Sequence, residues 1–370
     1  MSEDLPLGFE RARLTLAEAN ASLEAVADRL ALPRTASAAE AFDILAISGG
    51  AAGGAFGAGA LVGLTRAGRR PKFAIVTGVS TGALIAPFAF LGPEWDAQLQ
   101  DAYVGGHAHA SFGLAGLSPV LDGGLFRAEA LDRLIAPFIT EALVDAVSRE
   151  HEAGRRLLVA TTNLDTQQPC IWDMGEIARQ GGEEALRMFR LVLAASASLP
   201  GIFPPRRFRW ERDGLAVEEW HVDGGLAAPL FILPEALLRW RDLGLRLRRG
   251  QVYTLFNTVL DPPPQRTPSN LPAILMRSFD IMLRVSYRQA LSIALGFCLA
   301  HNLTLNVASI AAGSGRDEES MLDFGTENMR AIFDAAAEAA QRQDFWATPA
   351  THVDSWGALL DVVKTPITPA

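Results

Sequence analysis

Gly78-Val79-Ser80-Thr81-Gly82 is the stretch that most restricts how this chain folds. An apolar run, Phe73 to Val76, enters it, and a helix-prone run, Ala83 to Phe90, leaves it. A serine at the centre of such a turn sits where strand becomes helix so abruptly that its own φ/ψ is strained. The residues two before and two after it must be small, because side chains there would strike the facing strand and helix. The turn lifts Oγ clear of the sheet and aims a helix N-terminus at the reacting centre. With 33 glycines in 370 residues, the pattern alone arises by chance in about one chain in seven of this composition. The strand before it and the helix after it make it read as a nucleophile elbow with Gly78 and Gly82 as its small flanks.

The rest of the composition bounds the function. A chain that is 49% hydrophobic and 20% charged is globular. Its formal net charge of −9 argues against a nucleic-acid partner, which would demand a basic patch. The same charge disfavours strong whole-chain attraction to an anionic lipid surface. Lysine occurs only at Lys72 and Lys364, and the only cysteines are Cys170 and Cys298, in no metal or redox spacing. Two thiols fit a reducing compartment. The start, Met-Ser-Glu-Asp, has neither a basic nor an apolar leader region, and this predicts a cytoplasmic protein. The longest apolar stretch, Ala290 to Ala312, is interrupted by His301, Asn302 and Asn306. It predicts a buried helix followed by a strand rather than a membrane span.

Along the chain, Leu16, Ala19, Leu23, Val26 and Leu30 recur at spacings that predict an amphipathic helix over residues 8–31, packed on the main domain. Residues 32–40 read as a connector. Strands are expected at Phe42–Ile47, Phe73–Thr77, Arg156–Thr162, Pro169–Trp172, Val252–Asn257 and Leu303–Ser309, with another ending at Trp220-His221-Val222. Helices are expected after Gly54, after the elbow, and at Ala128–Phe138, Gly182–Ala195, Ala273–Leu295 and Thr326–Gln343. Gly105 to Gly124 reads as loop-rich. Alternating strands and helices predict an α/β fold with a mostly parallel sheet covered on both faces. One catalytic domain over residues 41–345 is expected, preceded by the helix and connector of residues 1–40 and followed by a tail at 346–370.

The loop Ser48-Gly49-Gly50-Ala51-Ala52-Gly53-Gly54 fits neither a Walker nor a Rossmann phosphate cradle, since Gly54 is followed by Ala55 and the Gly-x-Gly-x-x-Gly spacing is missing. It does offer bare backbone N–H groups at a helix N-terminus, the material of an oxyanion hole. A serine hydroxyl is a poor nucleophile at neutral pH and needs a base. Of the six histidines, His301 ends a helix and His352 stands in no recognisable loop, while His107 and His109 are placed at a pocket mouth. Asp223 is the better base. It ends a short strand and precedes Gly224-Gly225, which lets another group approach closely. An aspartate with pKa about 4 is weak toward serine in water, but desolvation raises its basicity. His221, on the same strand face, is read as packing.

These segments line up in order and approximate spacing with the patatin-like phospholipases. The resemblance rests on the glycine loop, the Ser80 elbow and Asp223-Gly224-Gly225. It extends to Gly124-Leu125-Phe126, Ala160-Thr161-Thr162-Asn163-Leu164-Asp165 and the Leu199-Pro200-Gly201-Ile202-Phe203-Pro204-Pro205 run. It spans about residues 42–235 and continues weakly to Gly325. It implies the family's three-layer α/β sandwich and a Ser80–Asp223 dyad with no catalytic histidine. It further implies an oxyanion hole at Gly49, Gly50 and Ala51, no metal or cofactor, and hydrolysis of ester-linked acyl chains from lipids. The chain departs from the family's loop, which reads three glycines, one residue, a basic residue and glycine. Here Ala51 replaces the third glycine and Gly53 the basic residue. Ala51 keeps its N–H, so the hole survives if its φ suits alanine. Loss of the charge bears on rate, or on preference for anionic head groups, more than on fold.

The expected partner is a lipid or other acyl ester substrate, met by peripheral contact with a membrane. Two rivals stand beside this reading: a short-chain carboxylesterase using the same dyad, and a non-catalytic lipid-binding or interaction module that keeps the fold.

Overall fold

A computed structural model describes residues 9–14, 23–32, 42–112, 124–212, 215–238, 247, 250–262, 264, 266–311 and 323–347. In chain order the strands are β1 (Arg13–Leu14), β2 (Ile44–Ile47), β3 (Ile75–Val79), β4 (Arg156–Asn163), β5 (Gln168–Asp173), β6 (Arg206–Arg212), β7 (Leu215–Asp223), β8 (Gln251–Phe256) and β9 (Thr304–Ser309). The helices are α1 (Leu23–Arg29), α2 (Gly54–Arg66), α3 (Thr81–Leu91), α4 (Asp96–Val104), α5 (His107–Phe112), α6 (Ala128–Ile135), α7 (Glu141–Glu152), α8 (Met174–Arg179), α9 (Gly182–Ser196), α10 (Glu235–Leu238), α11 (Leu271–His301) and α12 (Thr326–Ala339). All strands join one sheet in the order β1-β5-β4-β3-β2-β8-β9, with β7 also pairing β4, and β6 pairing β7. The central run β4-β3-β2-β8-β9 is parallel. The flanking pairs are antiparallel.

Side-chain alternation makes the layers. On β2, Leu45 and Ile47 enter one core while Ile44 and Ala46 enter the other. β4 divides in the same way, Leu157 and Val159 against Leu158 and Ala160, and β8 sends Tyr253 and Leu255 one way and Val252 and Phe256 the other. A strand buried on both sides is apolar at most positions, which is why the centres of these strands read as nearly continuous apolar runs. The first core is roofed by α2, α3, α7, α8, α9 and α12, the second by α1, residues 230–233 and α11. Cys170 belongs to the first core and Cys298 to the second, on opposite faces of the sheet.

The strand order reverses at β2. The chain moves outward through β3 to β4, then returns on the other side of β2 as β8 and β9. In such sheets a crevice opens beyond the carboxyl ends of the strands at the reversal. The glycine loop leaves β2, the elbow leaves β3 and Asn257 follows β8, so all three meet there.

Three expectations need correction. Arg13–Leu14 is a strand rather than part of a helix over 8–31, and pairs antiparallel with Trp172 and Ile171 of β5. Its guanidinium bonds Glu219 at 2.9 Å and lies over the rings of Trp172 and Trp210. Closing the open sheet edge outweighs local helical periodicity. Leu23, Val26 and Leu30 do pack on the second core as expected, while Leu16, Ala19, the connector at 33–40 and the tail from 348 lie outside the described residues. The loop-rich stretch contains helix α5 at His107–Phe112, with 113–123 outside the described residues. The helix expected to be buried, α11, runs from Leu271 to His301 and leaves Ile293 and Leu299 exposed. Among the described residues no helix is long and apolar enough to cross a membrane.

One buried cation fixes where the elbow sits. Arg155 donates to the carbonyl of Phe73 before β3, to the carbonyl of Phe90 at the end of α3, and to Glu150 in α7. Arg155→Ala leaves two buried carbonyls without a donor and is expected to cost about 3 kcal/mol in urea denaturation. Arg155→Lys keeps the charge but not the fork, so most of that loss should remain.

Candidate active site

Ser80 stands between β3 and α3 with φ 56° and ψ −127°, a conformation that costs a non-glycine residue free energy. The neighbours show why the flanks are glycine. A Cβ on Gly82 would lie 2.4 Å from the carbonyl oxygen of Ile47 and 2.6 Å from that of Ser48. One on Gly78 would lie 2.5 Å from the carbonyl oxygen of Gly82. The turn is clamped from beneath as well. The Ser80 N–H donates to Ser196 Oγ at 3.0 Å, and that hydroxyl donates to the Ala160 carbonyl of β4 at 2.7 Å. Ser196, the last residue of α9, carried no sequence signal for this task.

The glycine loop is held by a second distant residue. Asn257 donates from its backbone N–H to Ser48 Oγ at 3.0 Å and from Nδ2 to the Ser48 carbonyl at 2.8 Å. Its Oδ1 accepts from the Gly57 N–H of α2 at 3.0 Å. Gly50 has φ 150° and presses on Asn257, whose carbonyl oxygen would be 2.0 Å from an added Cβ. Ala51 has φ 50°. That is the left-handed region, where an L-residue bears a cost of about 1 kcal/mol that glycine avoids. The loop therefore keeps its course with alanine in place, at the expense of local strain.

Asp223 ends β7, opposite Thr161 of β4. Its N–H donates to the Ser198 carbonyl at 2.9 Å, and its Oδ1 accepts from the Gly225 N–H at 2.7 Å. The carboxyl is 2% exposed, and Oδ2 makes no hydrogen bond. Burial pushes its pKa up to about 6, against the opposing pull of the Ser80 hydroxyl and the Gly225 N–H. The Ser80 hydroxyl thus acts on the carboxyl, while Oδ2 itself makes no hydrogen bond.

Ser80, Asp223, Gly49, Gly50 and Ala51 all line one cavity of about 390 Å³. Its far wall is hydrocarbon. Thr81, Leu84 and Phe88 come from one face of α3, Leu131, Leu134 and Ile135 from α6, and Phe138 and Ile139 from the segment after it. The other wall is α11, through Ala273, Arg277, Asp280, Arg284 and Tyr287 at spacings of three and four. From α5, Ala108 and Phe112 reach the cavity, not the expected His107 and His109. His221 bonds Thr161 Oγ1 at 2.8 Å and Glu219 at 3.1 Å, which fits its reading as packing. His301 stacks on Phe297 at the end of α11, and His352 lies outside the described residues. Among the described residues no cluster of His, Cys, Asp or Glu suits a metal.

The buried carboxyl has a cost that can be measured. Its folded pKa lies above the unfolded value of 3.8, so the stability tied to its neutral form is complete below about pH 4 and is lost as pH rises through about 6. Asp223→Asn removes the ionisation and should raise stability at pH 7 by up to about 3 kcal/mol. The gain should vanish below about pH 4, as followed by urea denaturation at both pH values.

Comparison with known proteins follows the same segments. The patatin-like phospholipase family matches residues 45–235, from β2 past Asp223. No curated protein matches the chain. Among solved structures, the crystal structure of VipD from Legionella pneumophila is similar at 13% identity and a TM-score of 0.33, over 80% of this chain and 67% of that one. The match of more than half of the chain settles the assignment: the chain belongs to the patatin-like phospholipase family.

Proposed function

We propose that this protein is a serine acyl hydrolase that cleaves acyl ester bonds of lipids through a Ser80–Asp223 dyad and an acyl-enzyme. Family membership supports lipid acyl hydrolysis in general. The observation that carries the finer reading is a buried carboxyl with a raised pKa beside a strained serine, in a cavity whose far wall is largely hydrocarbon.

Asp223 takes the Ser80 proton as Oγ bonds to the ester carbonyl carbon. The N–H groups of Gly49, Gly50 and Ala51 hold the oxyanion. As the intermediate collapses, the bond to the alcohol breaks and Asp223 returns the proton to the departing oxygen. Water then gives a proton to Asp223 and attacks the acyl carbon, and the free acid leaves as Ser80 recovers its proton. The acyl chain lies along Leu84, Phe88, Leu134 and Phe138. A cavity walled by hydrocarbon favours this over the short-chain esterase, and the maintained elbow strain favours it over a non-catalytic module, for which that strain would serve nothing.

Ser80→Ala and Asp223→Asn should each remove nitrophenyl-ester turnover, by about 10³-fold or more, while circular dichroism shows folded protein. Wild-type kcat/KM should fall as pH drops through about 6, because only the ionised base accepts the proton. Wild-type-like turnover in either variant would end the dyad.

The contact with lipid is proposed for the outer face of α11. Leu271, Ile274, Leu275, Ile281, Met282 and Val285 are exposed on the side opposite the cavity wall. Among the described residues, the other exposed positions of this helix include Ser278, Gln289 and Ser292 but no charge. One helix thus presents hydrocarbon to solvent and lines the site where an acyl chain would lie. With a net charge of −9, a zwitterionic surface suits it better than an anionic one. Ile281→Asp combined with Met282→Asp should lower co-sedimentation with phosphatidylcholine vesicles by about tenfold or more. Unchanged sedimentation would remove the docking face.

A further inference from the structure

The family match ends at residue 235, yet the cavity is completed by a helix that begins at Leu271. Tyr287 is the buried aromatic residue of that helix on the cavity side. Its ring is 5% exposed and meets Phe256 of β8 edge-on, with centroids 6.0 Å apart. This contact fixes the ring beneath the glycine loop and turns its hydroxyl toward the reacting centre. The position in front of Gly49 where a Cβ would sit is 3.1 Å from Tyr287 Oη, 3.0 Å from Ser80 Cβ and 3.6 Å from Ser80 Oγ. Two hydroxyls from opposite walls therefore face one small space over the first residue of the loop. A side chain at position 49 would fill that space, and glycine keeps it open.

We infer that Tyr287 is a further catalytic residue of this site, donating a hydrogen bond from Oη to the carbonyl oxygen of the ester as it becomes an oxyanion. The role rests on the acyl-hydrolase reading above. Three features fit it. The phenol stays protonated, because burial foremost, then Asp223 and Asp280, hold its pKa above the ordinary value, against smaller effects of Arg284 and Ser48. A neutral donor of this kind needs no reorganisation when charge develops, and in a desolvated cavity it acts at greater strength than in water. Its neighbour Ser48 belongs to the loop, with Oγ donating to the Gly49 carbonyl at 2.7 Å, so the phenol stands beside the loop whose amides are the proposed oxyanion donors. Finally, the loop holds Gly53 where the family has a basic residue, and Tyr287 brings a donor to the same loop from outside the matched segment.

The alternative is that Tyr287 merely props the loop. Tyr287→Phe separates the two, because it keeps the ring on Phe256 and removes only the hydroxyl. Steady-state kinetics would compare a nitrophenyl ester with its thionoester, in which sulfur replaces the carbonyl oxygen and accepts hydrogen bonds poorly. The expected result is a fall of about 10²-fold in kcat on the oxygen ester, with KM within about twofold. On the thionoester the variant should lose less than about tenfold relative to wild type. A thermal melt matching wild type and continued fluorophosphonate labelling of Ser80 would show fold and dyad intact. Equal losses on the two esters, or no loss on either, would overturn the donor role while leaving the dyad standing. A wild type that neither turns over nor labels would instead overturn the acyl-hydrolase reading, and this role with it.

Discussion

The approach of Gly82 to the carbonyls of Ile47 and Ser48 is the contact on which the site depends. It sets the distance between the elbow leaving β3 and the glycine loop leaving β2, strands paired in parallel from Ile44↔Ile75 to Ile47↔Gly78. With no side chain on either flank, α3 starts directly above the loop, and Ser80 is carried into a conformation it would not choose alone. Strain of this kind costs about 1–3 kcal/mol and persists only where the surroundings over-determine it. Here they do. Ser196 holds the Ser80 N–H from one side, Arg155 ties both ends of the strand–helix unit from beneath, and Asn257 fixes the facing loop. The rigidity of the serine belongs to this frame rather than to the five residues around it.

In the proposed mechanism the base within that frame is made by removing water. A carboxylate at the surface is too weak to deprotonate a serine, and a third residue such as a histidine is the usual remedy. This site instead buries Asp223 at the end of β7 and satisfies one oxygen through Gly225, while the other makes no hydrogen bond. The raised pKa that makes the carboxyl a better base is the same quantity that makes it a destabilising charge at neutral pH. Basicity and stability therefore oppose each other at this residue. The large two-sided core, with β2, β3, β4 and β8 buried on both faces, supplies the margin that tolerates it.

The parts of this arrangement that were legible in the sequence are those set by local sterics. Gly78, Gly82, Gly49 and Gly50 announce themselves because close backbone approaches admit nothing larger. Asp223 shows because glycines follow it. The buried strands show because apolar runs admit one environment. What was not legible is contact between segments far apart in the chain. Asn257 and Ser48 are 209 residues apart, and although Ser48 opens the glycine loop, Asn257 belongs to no recognisable pattern. β1 was hidden because its two residues fall inside the span assigned to a helix from the periodicity that begins at Leu16, and only the open edge of β5 reveals another use for them. Ala51 marks the boundary between the two kinds of knowledge. The sequence shows that a glycine is replaced, but only the backbone angle of 50° shows that alanine here sits in the left-handed region and is strained.

Helix α11 carries this distinction furthest. Its residues are apolar on nearly all sides, which by periodicity alone describes a helix buried in a core. Yet its positions divide into two stripes with different surroundings. Ala273, Arg277, Asp280, Arg284 and Tyr287 face the cavity and include every charge on that side, with Arg284 bound to Asp280 and to the Val259 carbonyl. Leu271, Ile274, Leu275, Ile281, Met282 and Val285 face outward. A helix at a protein surface ordinarily shows the reverse, with charge outside and hydrocarbon within. The inversion makes sense where the inner surroundings are a reaction site that needs donors and paired charges, and the outer surroundings are themselves hydrocarbon. On the proposed function, a lipid surface supplies those outer surroundings, and α11 is the wall it shares with the site.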